Sequence, residues 1–100
     1  MRARFLKPAE LEVDEAIAYF DAQRPGLGER FERDLFETVA FISDYPLTGT
    51  RLGSTTRRHK LRTFKYHVIY VAEPTEVVIV AVAHRRRRPG YWIGRLNPLR

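Results

Sequence analysis

The sequence contains no cysteine, which excludes disulfide bonds and thiolate metal sites and fits a reducing compartment. It also lacks any apolar run near the roughly 18–20 residues that span a bilayer. Residues 1–8 are basic, but no apolar segment of the kind found in a secretory signal follows them. We therefore expect a cytoplasmic protein without a membrane partner. Its apolar content of 44% is ordinary for a folded chain, and we expect residues 1–100 to form a single domain.

Acidic residues are scarce in the second half of the chain. Residues 51–100 hold two acidic and twelve basic residues, a formal balance of +10. Residues 1–50 hold ten acidic and six basic residues, a balance of −4. Such separation is typical of a compact protein that presents one basic side to a polyanion. The alternative is a solvated basic surface that has no specific partner.

Common catalytic motifs are missing. The sequence contains no Gly-x-Ser-x-Gly turn, no P-loop and no glycine-rich dinucleotide turn. Its three histidines, His59, His67 and His84, have no neighbours at metal-ligand spacing. Pairs of acidic residues lie mainly in the first half, where they are typical of solvated helix faces. We therefore predict no metal, no cofactor and no small-molecule substrate.

Two apolar stripes predict two helices in the first half. The first stripe, at helical spacing, consists of Val13, Ala16, Ile17 and Phe20. The second consists of Phe31, Leu35, Val39 and Ile42. Together with Pro8 at a helix start and the Pro-Gly segment at 24–28, they predict helices over about 8–23 and 27–44. The short connection makes the pair an antiparallel hairpin.

Short alternating or β-branched runs predict four strands, over residues 2–6, 57–63, 66–72 and 77–83. The last run is apolar throughout, as in a central strand covered on both faces. Turns at 64–65 and 73–76 make the last three strands antiparallel neighbours. The order β-α-α-β-β-β predicts an α+β fold, a helical hairpin packed on a small, mainly antiparallel sheet, ending in a short tail or helical turn. Residues 48–56 are predicted to be a mobile polar loop.

The central strand runs directly into the most basic segment of the chain, residues 84–92. A rigid strand would hold these side chains at one place, near Arg58, Lys60 and Arg62, which alternation puts on one face. Their rings could stack on bases or anchor a protein, or they could belong to the core. The predicted target-binding residues are Arg58, Arg85, Arg86, Arg88, Tyr91 and Trp92.

A metal-independent ribonuclease could use the same region. His84, kept neutral by its positive neighbours, could accept a proton as general base, or it could only cap the strand. Guanidinium groups would stabilise the crowded phosphate. The predicted catalytic residues for this case are Lys60, Arg62, His84, Arg86 and Tyr91. Composition leaves RNA and protein open as targets.

Three segments, together with the element order, resemble the RelE/ParE superfamily of toxins from bacterial type II toxin–antitoxin modules. These segments are residues 24–28, 62–70 and 80–92. The resemblance implies a growth-arresting toxin that is held inactive by a cognate antitoxin. Such an antitoxin wraps the toxin with a flexible segment that folds on contact.

The two branches of the superfamily imply different targets. RelE-like members cleave mRNA in the ribosome, and ParE-like members poison DNA gyrase. Arg58, Lys60 and Arg86 match the RelE-like pattern, and Tyr91 or Trp92 falls near its terminal aromatic residue. His67, however, replaces an arginine of that pattern, and residues 84–92 look closer to ParE-like members. We expect a gyrase poison, with ribosome-dependent mRNA cleavage and a plain nucleic-acid-binding module as alternatives.

Overall fold

The fold follows the predicted order, with one strand added. The computed structural model describes residues 1–99, and its elements are β1 (Arg2–Phe5), α1 (Lys7–Gln23), α2 (Leu27–Asp44), β2 (Thr50–Arg51), β3 (Thr56–Lys60), β4 (Tyr66–Ala72), β5 (Glu76–His84) and a C-terminal 3-10 turn (Ile93–Leu99). The α+β class and the helical hairpin are confirmed. Within the described residues, no helix combines the length and apolar character needed to cross a membrane.

The five strands form one mixed sheet in the order β1-β5-β4-β3-β2. β1 runs parallel to β5, and the other neighbours are antiparallel. β5 therefore lies inside the sheet, and all of residues 77–83 are buried. This confirms the prediction drawn from its unbroken apolar sequence.

The helical hairpin packs on one face of the sheet through the predicted apolar stripes of both helices. Phe31, Leu35 and Ile42 of α2 are fully buried against β4 and β5. At one end of this core, four rings pack with centroids 4.9–5.8 Å apart, those of Phe20, Phe31, Phe64 and Tyr66. Edge-to-face contacts of this kind add about 0.5–1.5 kcal/mol each to the burial of the rings. They join both helices to the connection between β3 and β4.

That connection corrects the strand predicted over residues 57–63. β3 ends at Lys60, and residues 61–65 form a longer turn than the two residues expected. The cause is the carboxylate of Asp34 in α2. Its oxygens accept hydrogen bonds from the backbone N–H groups of Arg62 at 3.1 Å, Thr63 at 2.8 Å and Phe64 at 2.9 Å. Because these groups bond to Asp34, they cannot extend the sheet ladder.

The segment predicted to be a mobile polar loop, residues 48–56, contains the added strand. The buried hydroxyl of Tyr70 accepts a hydrogen bond from the N–H of Gly49 at 2.9 Å and donates one to the carbonyl of Pro46 at 2.8 Å. A Cβ at position 49 would lie 2.7 Å from that hydroxyl, so glycine is required. With the loop held there, Thr50 and Arg51 pair with β3.

Replacing Asp34 with alanine should lower the free energy of unfolding by about 2–4 kcal/mol, because three backbone donors lose a charged acceptor. Urea denaturation followed by circular dichroism measures the change. The matched control is Glu37→Ala, an exposed acidic residue on the same helix, which should cost less than about 0.5 kcal/mol. Equal losses in both variants would contradict the role given to Asp34.

Candidate functional site

One carboxylate docks the C-terminal turn on the edge of β5. β1 pairs only as far as Ile79, so β5 continues beyond the end of its neighbour. There, Glu12 Oε1 accepts a hydrogen bond from the N–H of Val82 at 3.0 Å and another from Arg95 Nη1 at 2.9 Å. Arg95 Nη1 also donates to the carbonyl of Val80 at 3.0 Å. The ion pair thus takes the place of a strand partner.

Tyr91 completes this network. Its hydroxyl donates to Glu12 Oε2, which also accepts a hydrogen bond from Arg95 Nη2 at 3.1 Å. The guanidinium of Arg87 lies over the Tyr91 ring, 4.0 Å from its centroid. Burial raises the pKa of Tyr91, and its hydrogen bond to the negative Glu12 raises it further. The hydroxyl therefore stays protonated at neutral pH and donates its hydrogen bond to Glu12.

Glu12 stays ionised in this setting. Burial alone would raise the pKa of its carboxyl, but the hydrogen bonds from Arg95, Tyr91 and the Val82 N–H outweigh that effect. As a result, its pKa lies below the ordinary value of 4.5. In the sequence, Glu12 is one of many acidic residues in the first half, and nothing local distinguishes it from those on the solvated face.

The docked C-terminal turn covers the sheet face opposite the helices. Trp92 and Leu96 pack there on a cluster that includes Ile69, Val80 and Ala81. Because Ile69 pairs with Ala81 and the next residue pairs with Ile79, β5 carries one extra residue, a β-bulge at Val80. Trp92 is only 8% exposed. Most of its ring therefore belongs to the core, although Trp92 also lines the cleft described next, and its predicted role in target binding stays a prediction.

A cationic cleft of about 350 Å³ lies between this sheet face and the segment that follows β5. Ile69, Ala83 and Trp92 contribute apolar surface to it. Leu52 and Ile93 also line it and are exposed. The basic side chains in its lining are Arg58, His67, His84, Arg85, Arg87 and Arg88. The strand end and the basic segment therefore form one concave, positively charged surface.

Strand register brings the basic residues of β3 to this face. Arg58 lies opposite Ile69, and Lys60 lies opposite His67. Directly opposed residues of antiparallel strands share a face. Arg58 and Lys60 therefore lie on one face, as alternation predicts, and it is the face that carries the cleft.

Residues 84–95 form a series of tight turns, which hold the arginines near β3. The N–H of Arg85 donates to the carbonyl of Lys65 at 3.0 Å, and that of Arg87 to His84 at 2.8 Å. Gly90, with a φ of 80°, reverses the chain in a conformation that suits glycine. The N–H of Ile93 then donates to the Gly90 carbonyl at 3.0 Å. The basic segment is thus an ordered part of the fold.

His67 lies among the cations of the cleft. Burial lowers the pKa of its imidazole below 6.5. Neighbouring positive charges lower it further, those of Arg58, Arg85, Lys60 and His84. The ring is therefore neutral at neutral pH and offers one donor and one acceptor. His67 is absent from the predicted site residues, although alternation along β4 places it on the same face as Ile69.

The five residues predicted for ribonuclease catalysis are not brought together. Arg62 follows β3 and lies beside Arg30 and Arg33 on the helical side, so the prediction that it shares a face with Arg58 and Lys60 is wrong. His84 Nδ1 accepts a hydrogen bond from the N–H of Arg86 at 3.1 Å, which makes it a cap of the strand end. That nitrogen is not free to act as a base.

The four predicted target-binding arginines lie at the cleft or beside it, and their role in binding stays a prediction. Arg58, Arg85 and Arg88 line the cleft, and Arg86 is exposed beside them on the same turn. Arg87, which is absent from the predicted set, also lines the cleft while stacking on Tyr91. Tyr91 and Trp92 hold this surface in place from within.

Taken together, the fold and the site define a small α+β protein with a helical hairpin on one sheet face and a cationic cleft on the other. A family model for the ParE toxin of the type II toxin–antitoxin system parDE matches residues 3–89. The chain belongs to this family of toxins, which confirms the ParE side of the resemblance.

A solved structure with the same fold comes from the chromosomal ParDE toxin–antitoxin system of P. aeruginosa. The two chains superpose with a TM-score of 0.73 at 14% sequence identity, over 84% of this chain and 95% of the other. At this identity the likeness concerns the fold alone. No match is found among the curated proteins.

Replacing Glu12 with glutamine should cost about 2–4 kcal/mol of stability at neutral pH, because Arg95 loses its partly buried counter-charge. Since the folded pKa of Glu12 lies below 4.5, its contribution is present above about pH 4.5 and is lost as the pH falls through the folded value. The Glu12→Gln variant should not show this loss of stability at low pH. Trp92, the single tryptophan, should emit at longer wavelength in the variant as the turn loosens.

Asp14→Asn, at an exposed position on another side of the same helix, is the matched control and should leave stability and Trp92 emission unchanged. Urea unfolding at several pH values, followed by Trp92 fluorescence, measures both effects. Wild-type emission and stability in Glu12→Gln would contradict the docking role of the carboxylate.

Proposed function

We propose that this toxin arrests growth by binding and poisoning DNA gyrase in the cytoplasm, and that a cognate antitoxin neutralises it. The observation that carries the proposal is the rigid placement of the exposed turn around Arg86, beside Arg58, on one side of the molecule. Membership of the ParE toxin family supports an antitoxin partner. The contact surface would consist of Arg58, Arg85, Arg86 and Arg88.

Preorganisation makes this surface suitable for a protein–DNA target. Arginine is enriched among the residues that dominate binding energy at interfaces. Ordering a long side chain costs about 0.5–1.5 kcal/mol on binding, and part of that cost falls away when the backbone is already ordered. The strong positive charge of residues 51–100 would also steer the toxin towards an enzyme that holds DNA.

The same charge supports a simple mode of neutralisation. An antitoxin segment rich in acidic residues would fold onto the basic side and occupy the contact surface of the arginines. Charge complementarity gives such a segment a fast encounter with the toxin and excludes the target while it is bound. The two partners of the basic side would then compete.

Metal-independent mRNA cleavage is not favoured as the activity. The hydroxyl of Tyr91 is bound to Glu12, the Nδ1 atom of His84 caps its own turn, and Arg62 lies on the helical side. A proton acceptor, a proton donor and a phosphate clamp are therefore not assembled from the predicted set.

Purified toxin, incubated with gyrase and supercoiled plasmid, should increase the amount of linear DNA that is released by detergent and protease. Replacing both Arg85 and Arg86 with glutamine should reduce this cleaved fraction at least about tenfold, because two exposed contact cations are lost. The matched control replaces Arg30 and Arg33, two basic residues near the opposite face, and should retain activity.

Growth arrest with unchanged gyrase cleavage, accompanied by cut transcripts in a cell-free translation reaction, would overturn the proposal in favour of mRNA cleavage. Induction of the toxin without any effect on growth would favour a plain nucleic-acid-binding module. Co-expression of the cognate antitoxin should restore growth, and arrest that persists in its presence would contradict the proposed neutralisation.

A further inference from the structure

We infer that the cationic cleft holds one nucleotide unit, with the base against its apolar lining and the phosphate on its arginines. This inference rests on the proposed function, because it names what the same surface would hold in a complex of gyrase with DNA. The unit is either a free nucleotide or an unpaired nucleotide of a strand, since both present the same base and phosphate chemistry.

The shape of the cleft favours a compact ligand. Its volume of about 350 Å³ falls at the lower end of the range found for small-ligand sites, and it is too small to admit a helix or a duplex. Ile69, Ala83 and Trp92 give it a buried apolar lining made by the sheet and the C-terminal turn. A flat aromatic base is the part of a nucleotide that such a lining accommodates.

Two exposed apolar side chains strengthen the case for a base. Leu52, between β2 and β3, is 39% exposed, and Ile93, at the start of the C-terminal turn, is 53% exposed. Both line the cleft, although they come from opposite ends of the second half of the chain. Apolar residues placed beside the basic side chains of the cleft suit a ligand that is part apolar and part anionic.

The arginines supply the anionic half of that recognition. Arg58 and Arg85 approach from β3 and from the turn after β5, and both lie close enough to His67 to affect its pKa. Guanidinium groups match phosphate oxygens with two parallel hydrogen bonds. The neutral imidazole of His67 sits between these cations and adds a donor and an acceptor without adding charge.

An acidic peptide is the competing ligand, and it fits less well. The carboxylates of a purely acidic peptide would satisfy the arginines, but such a peptide has no apolar side chain to pack on the apolar lining and the two exposed apolar residues. A nucleotide satisfies both parts of the surface at once. The two ligands can be told apart because only one of them carries an aromatic base.

Titration of the full-length protein with adenosine monophosphate, and separately with a single-stranded ten-residue oligothymidylate, tests the inference. Trp92 lines the cleft and is the single tryptophan, so its fluorescence should be quenched in a saturable manner. Arg58→Gln and Arg85→Gln should each weaken binding at least about tenfold. Arg33→Gln removes the same charge from α2 and should change the affinity less than about twofold.

Quenching by either probe supports the inference: the mononucleotide alone indicates a free nucleotide, the oligonucleotide alone indicates a strand, and both together show that the cleft accepts either. The inference is overturned if neither probe binds, if Arg33→Gln weakens binding as much as Arg58→Gln, or if polyglutamate of equal length binds as tightly. Circular dichroism checks that the variants fold, and both cleft arginines are exposed. The gyrase assay runs in parallel: nucleotide binding without gyrase poisoning rejects only the proposed function, and poisoning without nucleotide binding rejects only this inference.

Discussion

The shape of the basic side of this protein depends on the carboxylate of Glu12. It is the point at which the first helix, the edge of the central strand and the C-terminal turn meet through Val82 and Arg95. β1 is shorter than β5, so the backbone groups of Val80 and Val82 have no strand partner on that side and find side-chain partners instead. A carboxylate and a guanidinium do this together, and in doing so they determine where the chain goes after the sheet ends.

This constraint explains why a strongly basic surface can be ordered. Several like charges in one cleft repel each other, and a free segment carrying them would spread into solvent. Here the backbone of that segment is held by hydrogen bonds at Arg85 and Ile93, while Tyr91 and Trp92 are secured beneath it. The acidic half of the chain therefore supports the basic half, although the two look independent in the sequence.

The sequence predicted the elements best where the determining interactions are local. The apolar stripes that define both helices repeat within a few residues, and the unbroken apolar sequence of β5 by itself indicates a strand buried on both faces. The site was predicted less well because its geometry depends on distant partners. A two-residue turn would pair Arg62 with His67, but Asp34 draws residues 62–64 into a longer connection and so pairs Lys60 with His67 instead.

The placement of the two rings, Tyr91 and Trp92, could not be predicted from the sequence for the same reason. Tyr91 and Trp92 follow a run of arginines, and that neighbourhood alone favours a role in contacting bases or a protein. Whether a ring faces a partner or the core depends on the bulge at Val80 and on the reach of Glu12 from α1, neither of which is visible near residue 91. With the rings buried, the arginines lie at the surface on a backbone that is held in place. Tyr91 and Trp92 give rigidity to the segment that carries the cations, so the shape of the basic face depends on side chains that lie largely beneath it.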